Sequence, residues 1–413
     1  MRSSAGPLAT NAEEVQPLPL GAVALLGAAL ILSLGTALSL GFGRFAYALL
    51  LVPMQADLAW TYAQSGLINS ANALGYLLGV LALPAALSRL GPPNTVRIGM
   101  WMGALSLLGT GLTENFTLLM LLRILSGLGA GLVFIGGAPL VVQLGAARST
   151  NLPLTIYYSG PGLGMLIAGL FIPVLLAAPQ FGGWQLPWIA MGVIGVVSTL
   201  LMEWPIRAAA QRGAGKASGR PPRQIVLDDY RRLWPTIVAF TFFGLGYIGY
   251  MTFIVAYIAE AGAAGGLVQA FFIVLALATI AGGPIWGMLM NRFSPRDTLL
   301  LILLLLTVGA LLPVFVTTAW SYVLSAILFG GSFLALISAI TRQVRQVSPA
   351  DRWPTVMSIV TAIFAMGQLI GPALTGAVAD LPGGLWLGLA GSGAVLALAA
   401  LTILLGPTPQ PVE

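Results

Sequence analysis

The chain has 413 residues, of which 58% are hydrophobic and only 7% charged, with a mean hydropathy of +0.95. Water-soluble domains carry about 25% charged residues, so this composition belongs to a chain that lives in lipid. The net charge of +6 comes without a single His or Cys, which excludes disulfides, thiol chemistry and the commonest metal ligands, and no metal or cofactor is expected.

Residues 1–19, MRSSAGPLATNAEEVQPLP, are too long and too acidic for a signal peptide and predict a cytoplasmic tail before a retained first span. Runs of about 20 apolar residues then predict roughly twelve transmembrane helices and an all-α integral membrane fold. Spans 1–6 fall at 20–52, 61–88, 94–112, 116–141, 149–178 and 183–205, forming an N-terminal six-helix bundle over 20–205. Spans 7–12 fall at 232–260, 265–291, 297–316, 319–343, 351–379 and 384–406, a second six-helix bundle over 232–406. A cytoplasmic tail is expected at 407–413. Between the bundles, 206–231 contains QRGAGKASGRPPRQ, a flexible cytoplasmic linker. Its basic run is a topology signal beside anionic lipid, and nucleic acid is not an expected partner. The 52 glycines serve close helix packing.

The charges orient this array. Arg2, Arg89, Arg97, Arg148, the cluster from Arg207 to Arg232, Arg292, Arg296, Arg342, Arg345 and Arg352 all fall on one side. The opposite turns carry Asp57, Glu114, Glu260 and Asp380, without a Lys or Arg. The positive-inside rule places both termini in the cytoplasm of a bacterial inner membrane. Only Arg44 and Arg123 escape the pattern, each inside an apolar run, where a cation costs roughly 3 kcal/mol and faces a protein interior or a wet path.

The halves repeat. Gly41-Phe-Gly43-Arg44-Phe-Ala-Tyr47 aligns with Gly244-Leu-Gly246-Tyr247-Ile-Gly-Tyr250, and Arg123-Ile-Leu-Ser-Gly127 with Ala326-Ile-Leu-Phe-Gly330. Gly160-Pro161 in span 5 corresponds to Gly371-Pro372 in span 11. Both cations therefore belong to the N-terminal half. Repeated six-span bundles suit a rocking transporter that holds substrate near the midplane.

At this point the chain resembles the major facilitator superfamily over nearly its whole length. The superfamily turn after span 2, G-x-x-x-D-R-x-G-R-R, is represented by Arg89 and Gly91, with Ser88 in place of Asp. Its second copy is represented by Gly287, Asn291, Arg292 and Arg296. Span 4 resembles R-x-x-x-G-x-G-A at Arg123, Gly127, Gly129 and Ala130. Span 5 resembles the antiporter-type G-P-x-x-G at Gly160, Pro161 and Gly164. GFGRFAYALLLVPM in span 1 is similar to the YbfB/YjiJ-type branch. The resemblance implies two pseudo-symmetric bundles, a central cavity lined by spans 1 and 4, and no enzymatic activity.

By rise per residue, Arg44 and Arg123 each lie about 10–12 Å from the outer end of their predicted helices. Two guanidiniums at one depth suggest a clamp for a carboxylate, phosphate or phosphonate. Arg123 also admits a structural reading, donating to backbone carbonyls. Tyr47, three residues after Arg44, shares its face. Asn69, Asn72 and Tyr76 form a polar stripe on span 2 that suits cavity lining or helix-to-helix bonding. Tyr157, Tyr158, Tyr247, Tyr250 and Gln368 complete the candidate substrate-binding set. The helix bends at Gly160, Pro161, Gly164, Gly371 and Pro372 are candidate gates or static kinks. Trp60, Trp184, Trp286, Trp320, Trp353 and Trp386 are expected as interfacial anchors.

The expected function is secondary transport of a small organic anion by alternating access, through antiport or export, by a monomer whose partners are its substrate and membrane lipid. The alternatives are efflux of amphipathic drugs and, more remotely, a polytopic membrane enzyme. If protons are coupled, the substrate's own acid group or the peripheral Asp57 and Glu260 must carry them.

Overall fold

A computed structural model describes residues 21–145, 152–178, 182–211, 227–349 and 352–407. The predicted tail 1–19, almost all of 407–413, Arg148 and the centre of the linker lie outside the described residues. Among those described there is no strand, and eleven helices are long and apolar enough to cross a membrane.

One of the eleven, Tyr62–Thr110, has 49 residues and would reach about 73 Å if straight, more than twice a bilayer core. It breaks at Gly91, where φ is 73° and ψ 163°. The following Pro92 forbids helical backbone at this position, and only glycine accepts the positive φ without strain. Pro92 and Pro93 then start the next helix, where their missing N–H groups cost nothing. Counting the arms 62–90 and 92–110 as spans 2 and 3 gives the twelve crossings expected from sequence.

The remaining spans are Ala22–Leu58, Phe116–Gly145, Leu152–Leu176 and Gln185–Ala209 in the N-terminal half. Those of the C-terminal half are Asp229–Glu260, Gly265–Leu289, Pro295–Phe315, Ala319–Val347, Thr355–Ala379 and Gly384–Leu405. Span 1 runs six residues past its expected end and stops where Ala59 turns left-handed, at φ 53°. One end of the bundle carries the turns with Asp57, Glu114, Glu260 and Asp380 and is called the acidic end. The other, with Arg89, Arg97, Arg292 and Arg342, is the basic end.

Glycines set the N-terminal half's spacing. A Cβ on Gly127 would lie 1.9 Å from the Asn72 carbonyl oxygen, and one on Gly75 2.0 Å from that of Ile124. Spans 2 and 4 thus touch backbone to backbone through Gly75-x-x-x-Gly79 and Gly127-x-x-x-Gly131. Gly129, on the far side of the same helix, meets the Gly99 carbonyl of span 3 in the same way. The R-x-x-x-G-x-G-A pattern is therefore a two-sided packing surface.

Spans 1 and 5 cross as closely. Gly41 faces the Gly164 Cα and the Pro161 carbonyl, and Gly160 faces Thr36 and Ser33. Pro161 has no N–H for the Tyr157 carbonyl four residues earlier, and the Thr36 hydroxyl donates to that oxygen instead at 2.6 Å. Beside this crossing, residues Ala37–Phe45 widen from α- to π-helix, closed by the Ala46 N–H donating to the Gly41 carbonyl.

Two expected anchors are core residues instead. Trp184 and Trp286 are buried, and their indole N–H groups donate to Asp57 and to the Gly331 carbonyl. Sequence position put them near span ends, but each indole N–H has a protein acceptor within reach, which lipid headgroups would not improve.

Candidate functional site

The π-helical turn of span 1 carries Arg44, which is 3% exposed. Its Nε donates to Asn72 Oδ1 of span 2 at 2.9 Å, and its Nη1 to Gln368 Oε1 of span 11 at 2.9 Å. Its guanidinium carbon sits 4.8 Å from the centre of the Tyr76 ring. The third nitrogen, Nη2, is buried without a hydrogen-bond partner. Gln368 in turn donates through Nε2 to the Tyr247 hydroxyl at 2.7 Å. The two residues matched by the repeat, Arg44 and Tyr247, are thus joined across the seam by one amide.

Arg44, Tyr76, Tyr247 and Gln368 line a small cavity of about 20 Å³ at the junction of the halves, room for about one water. Its other walls are Leu40, Phe45 and Phe134 from the N-terminal half, and Phe243, Phe333 and Phe364 among those from the C-terminal half. The phenylalanines escaped the sequence reading, because within an apolar span nothing distinguishes a cavity-facing Phe from a lipid-facing one.

Arg123 lies elsewhere. It is fully buried, its guanidinium carbon stands 5.1 Å from the Trp188 ring centre and 5.5 Å from that of Tyr47, and none of its three side-chain nitrogens has a hydrogen-bond partner. It is not part of the cavity wall. The two backbones lie at similar depth, since Gly43 packs beside Ser126, three residues past Arg123. What separates the two guanidiniums is side-chain direction. Side chains lean toward the N-terminus of their own helix, and spans 1 and 4 run in opposite directions. Arg44 therefore leans toward the basic end and Arg123 toward the acidic end. Asn72 links them indirectly, accepting from Arg44 and donating through Nδ2 to the Arg123 carbonyl at 3.3 Å.

The other candidates divide. Tyr47 donates to the Ser65 carbonyl and stacks near Trp188. Asn69 donates to Thr252 of span 7 at 2.6 Å and keeps a buried, unpartnered Oδ1. Tyr157 donates to the Val133 carbonyl, Tyr158 packs edge-on against Phe134, and Tyr250 pairs with Ser325 in the C-terminal half. None of these five is in the cavity wall. The helices pass unbroken through Gly160-Pro161 and Gly371-Pro372, where the glycines make close crossings with spans 1 and 7.

At the basic end, Arg89, Asn291 and Arg292 are exposed, and a Cβ on Gly287 would meet nothing. Arg296 caps the end of span 12 by donating to the carbonyls of Ile403, Leu404 and Gly406. Arg97 makes a two-pronged ion pair with Glu203 of span 6, at 2.8 and 3.0 Å.

Toward the acidic end, the halves are tied by hydrogen bonds across the seam. The Asp380 carboxylate, at the end of span 11, accepts from the backbone N–H groups of Tyr62 and Ala63 at 2.8 and 2.9 Å, capping the first turn of span 2. The Tyr62 hydroxyl donates to Glu260, and the Ala373 N–H donates to the Ser70 hydroxyl. Asp57 is engaged with Trp184 instead. The cavity wall extends from Arg44 toward the basic end, through Phe134, Leu334 and Ile337. Replacing Asp380 with Asn removes a charge-assisted cap worth about 1 kcal/mol, so the closed seam should open about fivefold more often. The chain has no Cys, so Ala373→Cys, which keeps the backbone N–H of its tie to Ser70, supplies a reporter; its labelling by an impermeant maleimide should quicken by that factor in Asp380→Asn.

Two helical bundles closing on a cavity at their seam define a transporter of the major facilitator type. The chain belongs to the family described as "Uncharacterised MFS-type transporter YbfB", whose pattern matches residues 36–404. It is 30% identical over 181 residues to a multi-drug resistance efflux pump PmrA homolog of Lactococcus lactis, a match covering 41% of this chain and 43% of that protein. It is 24% identical over 344 residues to the quinolone resistance protein NorA of Staphylococcus aureus, covering 79% and 83%. The chain thus spans under half of the first relative's length. The crystal structure of the nucleoside transporter NupG matches with a TM-score of 0.72 at 15% identity, over 93% of this chain and 99% of that one. That likeness is one of fold.

Proposed function

We propose that the chain is a secondary transporter that moves a small organic anion, carboxylate- or phosphonate-like, across the bacterial cytoplasmic membrane by alternating access, through exchange or export. The observation that carries this reading is Arg44, a buried cation held by two neutral amides, with one nitrogen unpartnered beside the cavity. A buried charge without a counter-charge is costly, and an anionic substrate supplies what the protein withholds. Arg123 is assigned a structural role, its charge accommodated by two aromatic faces worth about 2 kcal/mol or more when desolvated.

By the positive-inside rule the basic end faces the cytoplasm. The Asp380 and Glu260 ties then close the outer side of the seam. Relatives named as efflux pumps favour export. The aromatic cavity walls favour a second reading, efflux of amphipathic compounds, and the two readings merge if the compound is an acid.

Reorienting the empty carrier requires carrying Arg44 unneutralised, so exchange should outpace net flux. Proteoliposomes loaded with benzoate, octanoate or methylphosphonate should release label about tenfold faster into buffer containing the same anion than into anion-free buffer. Equal rates for benzoate and uncharged benzamide would reject the anion reading.

A further inference from the structure

Resting on that anion reading, we infer that the substrate class is narrower: a flat aromatic acid carrying a single anionic group, with few or no hydroxyls.

The first observation is how little hydrogen-bonding capacity the cavity offers. Of Arg44's nitrogens, Nε and Nη1 are bound to Asn72 and Gln368, and Nη2 is the one without a partner. The amides that hold the guanidinium are themselves committed, Asn72 to the Arg123 carbonyl and Gln368 to the Tyr247 hydroxyl. The polar groups at the seam therefore leave little over: among the cavity-lining residues, Arg44 Nη2, the Tyr76 hydroxyl and the proton of the Tyr247 hydroxyl, while the unpartnered Asn69 Oδ1 lies away from the cavity wall. A sugar acid or nucleoside would bring several hydroxyls into this space, and a buried hydroxyl without a partner opposes binding. One anionic group, by contrast, meets its complement.

The second observation is the shape of the apolar wall. The rings of Phe243 and Tyr247 stack 4.5 Å apart at 13°, and Phe364 lies within 6° of Phe243 and 15° of Tyr247. Phe333 continues this surface at 22° to Tyr247, and Phe45 meets Phe333 edge-on at 5.4 Å. Four nearly parallel rings from spans 7, 10 and 11 form a slatted face beside the cation. A flat ring can lie upon such a stack in full contact, whereas a branched or puckered body leaves gaps. The free space here admits about one water, so a ligand ring enters as the walls part, and a flat body asks the smallest parting of them.

The two observations are independent: one concerns unspent charge, the other the orientation of hydrocarbon. Together they describe a ligand with its acid group at Arg44 Nη2 and its ring plane along Tyr247 and Phe364.

The test uses the full chain in nanodiscs and measures equilibrium binding of 1-naphthoate, decanoate, glucuronate and uncharged 1-naphthamide. The expected result is 1-naphthoate binding about tenfold tighter than decanoate or naphthamide, with glucuronate weaker still. Phe364→Leu, or Phe333→Leu should the first fail to yield monodisperse protein, should erase the preference for naphthoate over decanoate while keeping that over naphthamide. Arg44→Gln should do the reverse. Decanoate or glucuronate binding as tightly as naphthoate, with naphthamide still weak, overturns the aromatic class and leaves the anion reading standing. Naphthamide matching naphthoate, or no saturable binding of any acid, overturns both.

Discussion

Arg44→Gln should lose anion transport, with binding weakened by about a hundredfold or more, while the protein inserts and remains monodisperse. An anion at Nη2 gains charge-assisted hydrogen bonds worth about 1.5–3 kcal/mol each, and the neutral amide forfeits them. Glutamine is also too short to keep both present partners: Asn72 Oδ1 and Gln368 Oε1 are held by different nitrogens of one planar group. Arg44→Lys should recover part of the binding, because it restores the charge without the fork. Arg123→Gln separates the two cations. It should lower thermal stability by removing contacts with Tyr47 and Trp188, yet leave anion affinity within about threefold. Wild-type uptake by Arg44→Gln in proteoliposomes would sink the assignment, and so would an Arg123→Gln variant of normal stability that binds no anion.

Gly127→Ala should cost the most in folding. The added Cβ would stand 1.9 Å from the Asn72 carbonyl oxygen and 2.8 Å from the Tyr76 backbone nitrogen. Both are backbone atoms of a helix that cannot rotate out of the way. Spans 2 and 4 must separate by more than an ångström, which also loosens Gly75 against Ile124 and Gly131 against Tyr76. Overpacking of this kind costs about 3 kcal/mol. Because Asn72 also holds Arg44, surviving protein should bind anions poorly as well. Gly287→Ala, with open space around its Cβ, is the matched control and should melt like the wild type. A melting temperature in detergent unchanged by Gly127→Ala would refute the close crossing.

Much of this architecture was legible because lipid imposes simple rules. Apolar run length marked the spans, and sorted arginines told the two ends of the bundle apart. At the site, Arg44, Asn72, Tyr76, Tyr247 and Gln368 were visible as polar exceptions within hydrocarbon, and the structure joins them in one network. The aromatic wall was not visible, since Phe243 or Phe364 in a span looks the same whether it faces lipid or a cavity. The separation of Arg123 from the cavity was not visible, since antiparallel helices at one depth send equal side chains opposite ways. The Asp380 cap was hidden because its partners are backbone N–H groups more than 300 residues away. The break at Gly91 was foreshadowed by Pro92 and Pro93, though the near-continuous helix on either side was not.

The π-helical stretch of span 1 has a consequence for how this chain tolerates changes in length. Each widened turn holds about one residue more than an α-turn would need to climb the same distance. Surplus chain is therefore stored between Ala37 and Phe45, next to the crossing with Gly164. Removing one residue there lets the ladder tighten to ordinary bonding while Ala28 and Met54 keep the faces they now present. The same deletion in span 4 would turn everything beyond it by about 100° and expose its glycine seam to lipid. Span 1 thus contains a built-in slack, a length of helix in which a deletion is absorbed as a change of winding rather than a loss of register.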